Sequence, residues 1–211
     1  MSSLATLLTL ADSRLPTGGH VHSGGVEEAV TSGLVCDLVT LRAYLVRRIA
    51  SNGLVAASVA AAVHTGELTA EAGDAETDAR TPAPAARDAS RSQGRGLVRL
   101  ARRVWTEAPW ATLGPQPHLA VAAGTVGAVG ALTAHQTALA VVYTTMTGSA
   151  TAAQRLLALD PGDVAALTFE LSELCDALAG EAVTGMADLS DPLLDVLAQR
   201  HSRRERPLFV S

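Results

Sequence analysis

Leu15-Pro16-Thr17-Gly18-Gly19-His20-Val21-His22-Ser23-Gly24-Gly25-Val26-Glu27 lies between two apolar helical patterns and specifies the bend that joins them. Pro16 fixes its own φ, and Gly18 and Gly19 accept positive φ without a Cβ penalty, so the segment encodes a tight turn. Ser23 suits a helix N-cap, and Glu27 and Glu28 then place carboxylates in the first turn of the helix that follows. Before the bend, Leu4 to Ala11 reads as a helix. After it, the second helix runs to Gly33, a residue suited to a helix C-terminus.

The rest of the chain continues in helices. Asp37 caps a third, with Leu38, Leu41, Leu45 and Ile49 at three- and four-residue spacing. Gly53 to Val63 carries Ala and Val on all faces, which predicts a buried helix. Thr81-Pro82-Ala83-Pro84 breaks the pattern after an acidic stretch from Glu67 to Asp78, so residues near 67–88 are expected to form a mobile loop. An amphipathic helix follows, with Leu97, Val98, Ala101, Val104 and Trp105 on its apolar face and Arg87, Arg91, Arg95, Arg99 and Arg103 in an i, i+4 row. His118 to about Ala134 and His135 to about Thr147 read as central helices, with Gly124, Gly127 and Gly130 giving one of them a smooth contact surface. Asp160-Pro161-Gly162-Asp163 and Asp191-Pro192 each place an N-cap acid ahead of a proline at the first helical position. No segment alternates as a strand does, so the expected fold is an all-α, single-domain bundle of about eight to ten helices over residues 1–211.

Composition narrows the function. Apolar residues make up 48% of the 211 residues and aromatics only 3%, so the core is built from Ala, Val and Leu. There is no Lys; all sixteen basic residues are Arg. A P-loop NTPase and a Lys-imine enzyme both need a Lys, and both are excluded. The net charge of −5 argues against a general nucleic-acid binder. Cys36 and Cys175 sit in apolar helical patterns and read as buried, reduced thiols. Residues between Glu107 and Arg155 carry no charged side chain, but prolines, polar residues and weakly apolar Ala and Gly favour two buried helices over a membrane span. The first residues lack a basic run ahead of the apolar one, so the expected compartment is the cytoplasm.

Candidate chemistry is sparse. His20 and His22 are surface or packing histidines, or else two ligands of an incomplete metal site that Asp12 or Glu27 would complete. Ser23, His22 and Asp12 supply the residue types of a hydrolytic triad without a nucleophile elbow, and catalysis is not expected. The Arg row reads as a solvated face, an acidic-partner surface, or a phosphate site, in that order. The stretch Arg200, Arg203, Arg204, Glu205, Arg206 followed by Leu208-Phe209-Val210 reads as a tail that is disordered alone or ordered by a partner.

The opening segment resembles the signature Leu-Pro-x-Gly-x-Phe-x-x-Ser-x-Gly-Leu-Glu of the UreF family of urease accessory proteins. Leu15, Pro16, Gly18, Ser23, Gly25 and Glu27 match it, and Val26 replaces a Leu. His20 stands where the family has Phe, and His22 where it often has Tyr. The resemblance extends to Ser90, Gln93 and Gly94, to Arg155-Leu156-Leu157, and to a tail with His201 and then Leu208-Phe209-Val210-Ser211. It implies a non-enzymatic scaffold without a cofactor. Such a scaffold joins UreD (UreH in some organisms) to the GTPase UreG, helps deliver nickel with a carbamylated lysine to apo-urease, and is commonly a dimer. No nucleic acid or membrane is implied. The expected partner interface comprises Pro16, Gly18, His20, His22, Ser23, Glu27, Arg95, Arg99, Arg155, His201, Leu208 and Phe209, with the tail near 200–211 ordered by the partner. The alternative is a helical nucleic-acid-associated regulator that uses the Arg row, although no helix-turn-helix with base-reading residues is found. A metal-dependent helical enzyme would need a further ligand cluster, and His64, His118, His135 and His201 are scattered along the chain.

Overall fold

A computed structural model describes residues 4–188, 191–205 and 207–210, and of His20 the backbone only. The described residues are helical and carry no strand. The helices are α1 (Leu4–Leu10), α2 (Val26–Thr31), α3 (Leu38–Arg48), α4 (Leu54–Thr65), α5 (Ala70–Arg80), α6 (Pro84–Val104), α7 (Leu119–Val129), α8 (Ala134–Leu157), α9 (Pro161–Glu170), α10 (Ser172–Ala182) and α11 (Pro192–His201). A π turn over Ile49–Gly53 fuses α3 to α4, so the two helices expected there are one rod.

Local chemistry sets most boundaries. Asp37 and Thr40 form a reciprocal capping box at the start of α3, and Thr133 and Gln136 do the same for α8. The Asp160 carboxylate accepts the Gly162 and Asp163 N–H groups, and Asp191 accepts those of Leu193 and Leu194. Both Asp-Pro starts therefore fall where the sequence puts them.

Rod α4 lies at the centre. Leu54, Ala57 and Ala60 belong to a main core shared with α2, α3, α8, α9, α10 and α11. Val59 belongs to a second core with Leu97, Val98, Trp110, Val121 and Val126. Small side chains bring α7 against both neighbours. A Cβ on Gly124 would meet the Ala60 carbonyl oxygen, and one on Gly127 would meet the Thr137 side chain.

Several expectations are corrected. Residues 67–88 are not one loop: Thr69 caps α5 by accepting the Ala72 N–H at 3.1 Å, and only 67–69 and 81–83 lie between helices. Alanine-rich sequence favours that helix, and Arg80 anchors its end by donating to the Ala187 carbonyl at 2.9 Å. Helix α2 starts at Val26, with Gly25 as its cap, rather than at Ser23. Cys36 is exposed while Cys175 is buried, because Cys36 falls in the turn before Asp37. Val104, expected on the apolar face of α6, is largely exposed at its last turn. Among the described residues, no helix is long and apolar enough to cross a membrane.

Candidate functional site

The glycine loop and the tail meet. Gly18 and Gly25 adopt φ of +87° and +88°, in the left-handed region where a side chain is strained. The second of these turns the chain into α2, and the Tyr44 hydroxyl holds it by donating to the Gly24 carbonyl at 2.9 Å. Glu27 then falls in the first turn of α2, where its side chain points inward and the residue is only 3% exposed. Its Oε1 accepts the Leu208 N–H at 2.8 Å and its Oε2 the Phe209 N–H at 3.0 Å. One buried carboxylate thus takes two backbone donors from the tail, and the positive end of α2 favours its charge.

Four more contacts complete the latch. The Val210 N–H donates to the Val21 carbonyl at 2.7 Å. His201 Nε2 lies 3.1 Å from the Phe209 carbonyl oxygen and donates to it. Arg204 donates to Glu28 at 2.9 Å. The Phe209 ring is 7% exposed within the main core, with the Arg155 guanidinium 5.4 Å from its centroid. Leu208 and Val210 alternate with it and stay 80% and 70% exposed.

On its other side the loop rests on α6. A Cβ on Gly96 would overlap the Thr17 carbonyl, and Gln93 lies beside Gly19. Two residues earlier, Gly94 is pressed against the Pro117–His118 backbone. Only glycine permits either approach.

A second polar network underlies that contact. The His118 ring is fully buried, with Nε2 2.9 Å from Asp78 and Nδ1 3.0 Å from the Ser90 hydroxyl. Nε2–H donates to the carboxylate, and Nδ1 accepts the Ser90 O–H. Ser90 Oγ also accepts the Leu119 N–H at 3.1 Å, and Asp74 accepts the His118 N–H at 2.7 Å. Burial pushes the His118 pKa below its ordinary value, against the opposing pull of the Asp78 hydrogen bond. Burial pushes the Asp78 carboxyl up, yet the His118 bond and the Arg91 charge together hold it below the usual carboxylate range. Ser90, His118 and Asp78 are triad residue types. Here, though, the imidazole is sealed inside and the serine oxygen orders the start of α7, so the arrangement braces α5, α6 and α7.

The sequence-level candidates divide accordingly. Ser23, Glu27, His201 and Phe209 are buried; Ser23 Oγ, the Glu27 carboxylate, His201 Nε2 and the Phe209 ring all take part in holding the latch. The described part of the tail is folded against its own chain, because Phe209 has a core site and its backbone has acceptors. Pro16 and Arg155 are exposed, and Gly18 and His22 are half-buried. The His20 side chain, Arg206 and Ser211 lie outside the described residues. Ser23, His22 and Asp12 do not form a triad: Arg14 takes the Asp12 carboxylate, lowering its pKa to about 2, and Ser23 Oγ faces the Glu27 N–H. Among the described residues, no three His, Cys, Asp or Glu side chains converge as metal ligands. Sequence reasoning missed Tyr44, Asp74, Asp78 and Arg204, whose roles depend on contacts far apart in the chain.

Comparison with known proteins places the chain in a family. The UreF family profile matches residues 35–172. The chain is 76% identical to the urease accessory protein UreF of Mycolicibacterium vanbaalenii and 75% identical to that of Mycobacterium sp. strain JLS, in each case over 100% of both chains. The UreF of Mycobacterium marinum is 72% identical over the same full span. None of these similarities supports the nucleic-acid regulator.

Proposed function

Because the chain belongs to the UreF family of urease accessory proteins, we infer that it acts in urease maturation as a non-catalytic scaffold. It joins UreD (or UreH) to the GTPase UreG and presents them to apo-urease, in the cytoplasm and as a dimer. GTP hydrolysis belongs to UreG, and the nickel delivered is cargo bound for urease. This chain supplies surfaces and no cofactor of its own.

The observation that carries the reading is the latch, which places the family-signature loop and the family-like tail on one edge. Glu27, His201 and Phe209 hold that edge from within. Leu208 and Val210 stand outward beside Val21, apolar and exposed, and Pro16 is exposed on the same loop. Paired exposed hydrophobes on a braced backbone suit a protein partner, since little ordering remains to oppose binding.

Co-expression with UreD, UreG and the urease subunits tests the reading. A complex containing this chain should elute as one species, and urease should gain activity only when the chain is present. Substituting Leu208 and Val210 by Ser should weaken that complex while the helical content and melting temperature stay near wild type. Full urease activation in cells lacking this chain overturns the scaffold role.

A further inference from the structure

The arginines of α6 behave as two groups. In its N-terminal half, Arg87 donates to the Thr81 carbonyl at 2.8 Å, and Arg91 donates to Asp78 at 2.7 Å and to the Gln116 carbonyl at 2.6 Å. Those two belong to the brace around His118. In the C-terminal half, Arg95, Arg99, Arg102 and Arg103 are all exposed, and none makes an ion pair among the described residues. The chain carries 21 acidic residues, so the lack of pairing there is not for want of carboxylates.

Helix physics accounts for only part of this. Arg102 and Arg103 fall in the last turn and complement the negative end of the helix. Arg95 and Arg99 lie further upstream, where that benefit has faded. The i, i+4 series Arg95, Arg99, Arg103 sets like charges side by side, a modest destabilisation of the helix. The opposite face is fixed: Gly94 and Gly96 press on neighbouring backbone, and Leu97, Val98 and Ala101 are buried. A rigid helix therefore holds out a row of guanidinium forks, with the exposed Val104 at its end.

We propose that this half of α6 is the docking surface for an acidic face of a protein in the urease-maturation assembly, which rests on the scaffold reading above. Guanidinium groups pair with carboxylates in bidentate geometry, and Val104 adds an apolar contact of the kind found at interface centres. A protein partner suits the surface better than a nucleic acid. The chain is net negative, which disfavours a long polyanion.

The test uses the full chain with purified UreD, UreG and apo-urease, singly and together. Arg95→Glu with Arg99→Glu should weaken assembly at least about tenfold and lower urease activation, with unchanged circular dichroism. Arg95→Gln with Arg99→Gln should give a smaller loss in the same direction, which guards against misfolding of the reversed variant. Wild-type assembly should weaken from low to high salt, and the reversed variant should lose most of that dependence. If both variants assemble and activate as wild type does, the surface is a solvated face and the proposal fails while the scaffold reading stands. If the wild-type chain neither assembles nor activates, the scaffold reading fails and takes the proposal with it. Tight, steeply salt-dependent binding of a 20-base-pair DNA duplex that Arg95→Glu with Arg99→Glu abolishes would assign the surface to nucleic acid instead.

Discussion

Replacing Glu27 by Gln removes one of the two acceptor oxygens that this side chain offers the tail. The carboxylate offers an oxygen to each of two buried donors, the N–H groups of Leu208 and Phe209. A Gln amide keeps one oxygen and turns an NH2 toward the other donor. Hydrogen bonds to a charged group contribute about 1.5–3 kcal/mol and neutral ones about 1 kcal/mol, so the exchange should cost about 3 kcal/mol if the tail stays in place. Release of the tail sets an upper limit, since that forfeits mainly the burial of Phe209, about 1.5–3 kcal/mol. The expected loss is therefore about 2–3 kcal/mol, a fall in melting temperature of roughly 5–10 °C for a chain of this size. The decisive assay is a double-mutant cycle read by urea unfolding. Once the residues from Leu208 onward are deleted, Glu27 faces water, and the same substitution should shift stability by no more than about 0.5 kcal/mol. An equal loss with and without the tail would refute the latch and assign the role of Glu27 to α2 or Arg204.

Three further outcomes follow from the geometry. Gly96→Ala should destabilise the protein by about 1–3 kcal/mol or more, because its Cβ meets the Thr17 backbone, whereas Gly33→Ala, in open space at φ of +75°, should lose only the left-handed penalty of roughly 1–2 kcal/mol; thermal melts of both variants compare them. Stability should rise with pH through the histidine range: His118 has a folded pKa below its unfolded value of about 6.5, so the folded state binds fewer protons, and its contribution is complete above about pH 6.5 and declines as pH falls toward the folded value. His118→Gln should flatten that slope in melts taken between pH 5 and 8. The two thiols should separate kinetically, with exposed Cys36 reacting at once with a disulfide reagent and Cys175, pushed up to about 11 by burial, reacting only in denaturant.

The parts legible in the sequence are those set by neighbours along the chain. Asp37, Asp160 and Asp191 announce their helices because an N-cap acts within three residues, and the helical spacing of Leu41 and Leu45 survives as burial. The 67–88 stretch misleads for the converse reason. Its acids look like a solvated run, yet Asp74 and Asp78 have partners about forty residues away at His118. Cys36 shows the same limit, since a single residue separates it from the buried Val35.

The candidate site was legible as residues and not as an arrangement. Glu27, Arg155, His201 and Phe209 stand out by likeness to one family, but chain position alone places the last two in a polar-then-apolar tail, which reads as unfolded. What decides otherwise is a pair of long-range hydrogen bonds to Glu27, together with the site in the main core that the Phe209 ring fills. The backbone donors of any tail must find acceptors before a core position can hold its side chain. Here one carboxylate at the start of α2 provides two of them, and the Val21 carbonyl a third. The signature loop therefore has a physical reason for its composition. Its glycines turn the chain so that Glu27 points inward, and Gly96 on α6 lets the loop sit low enough to be reached. His20 and His22, the two departures from the family pattern, fall between those fixed points, on the stretch of loop that joins Gly18 to Gly25.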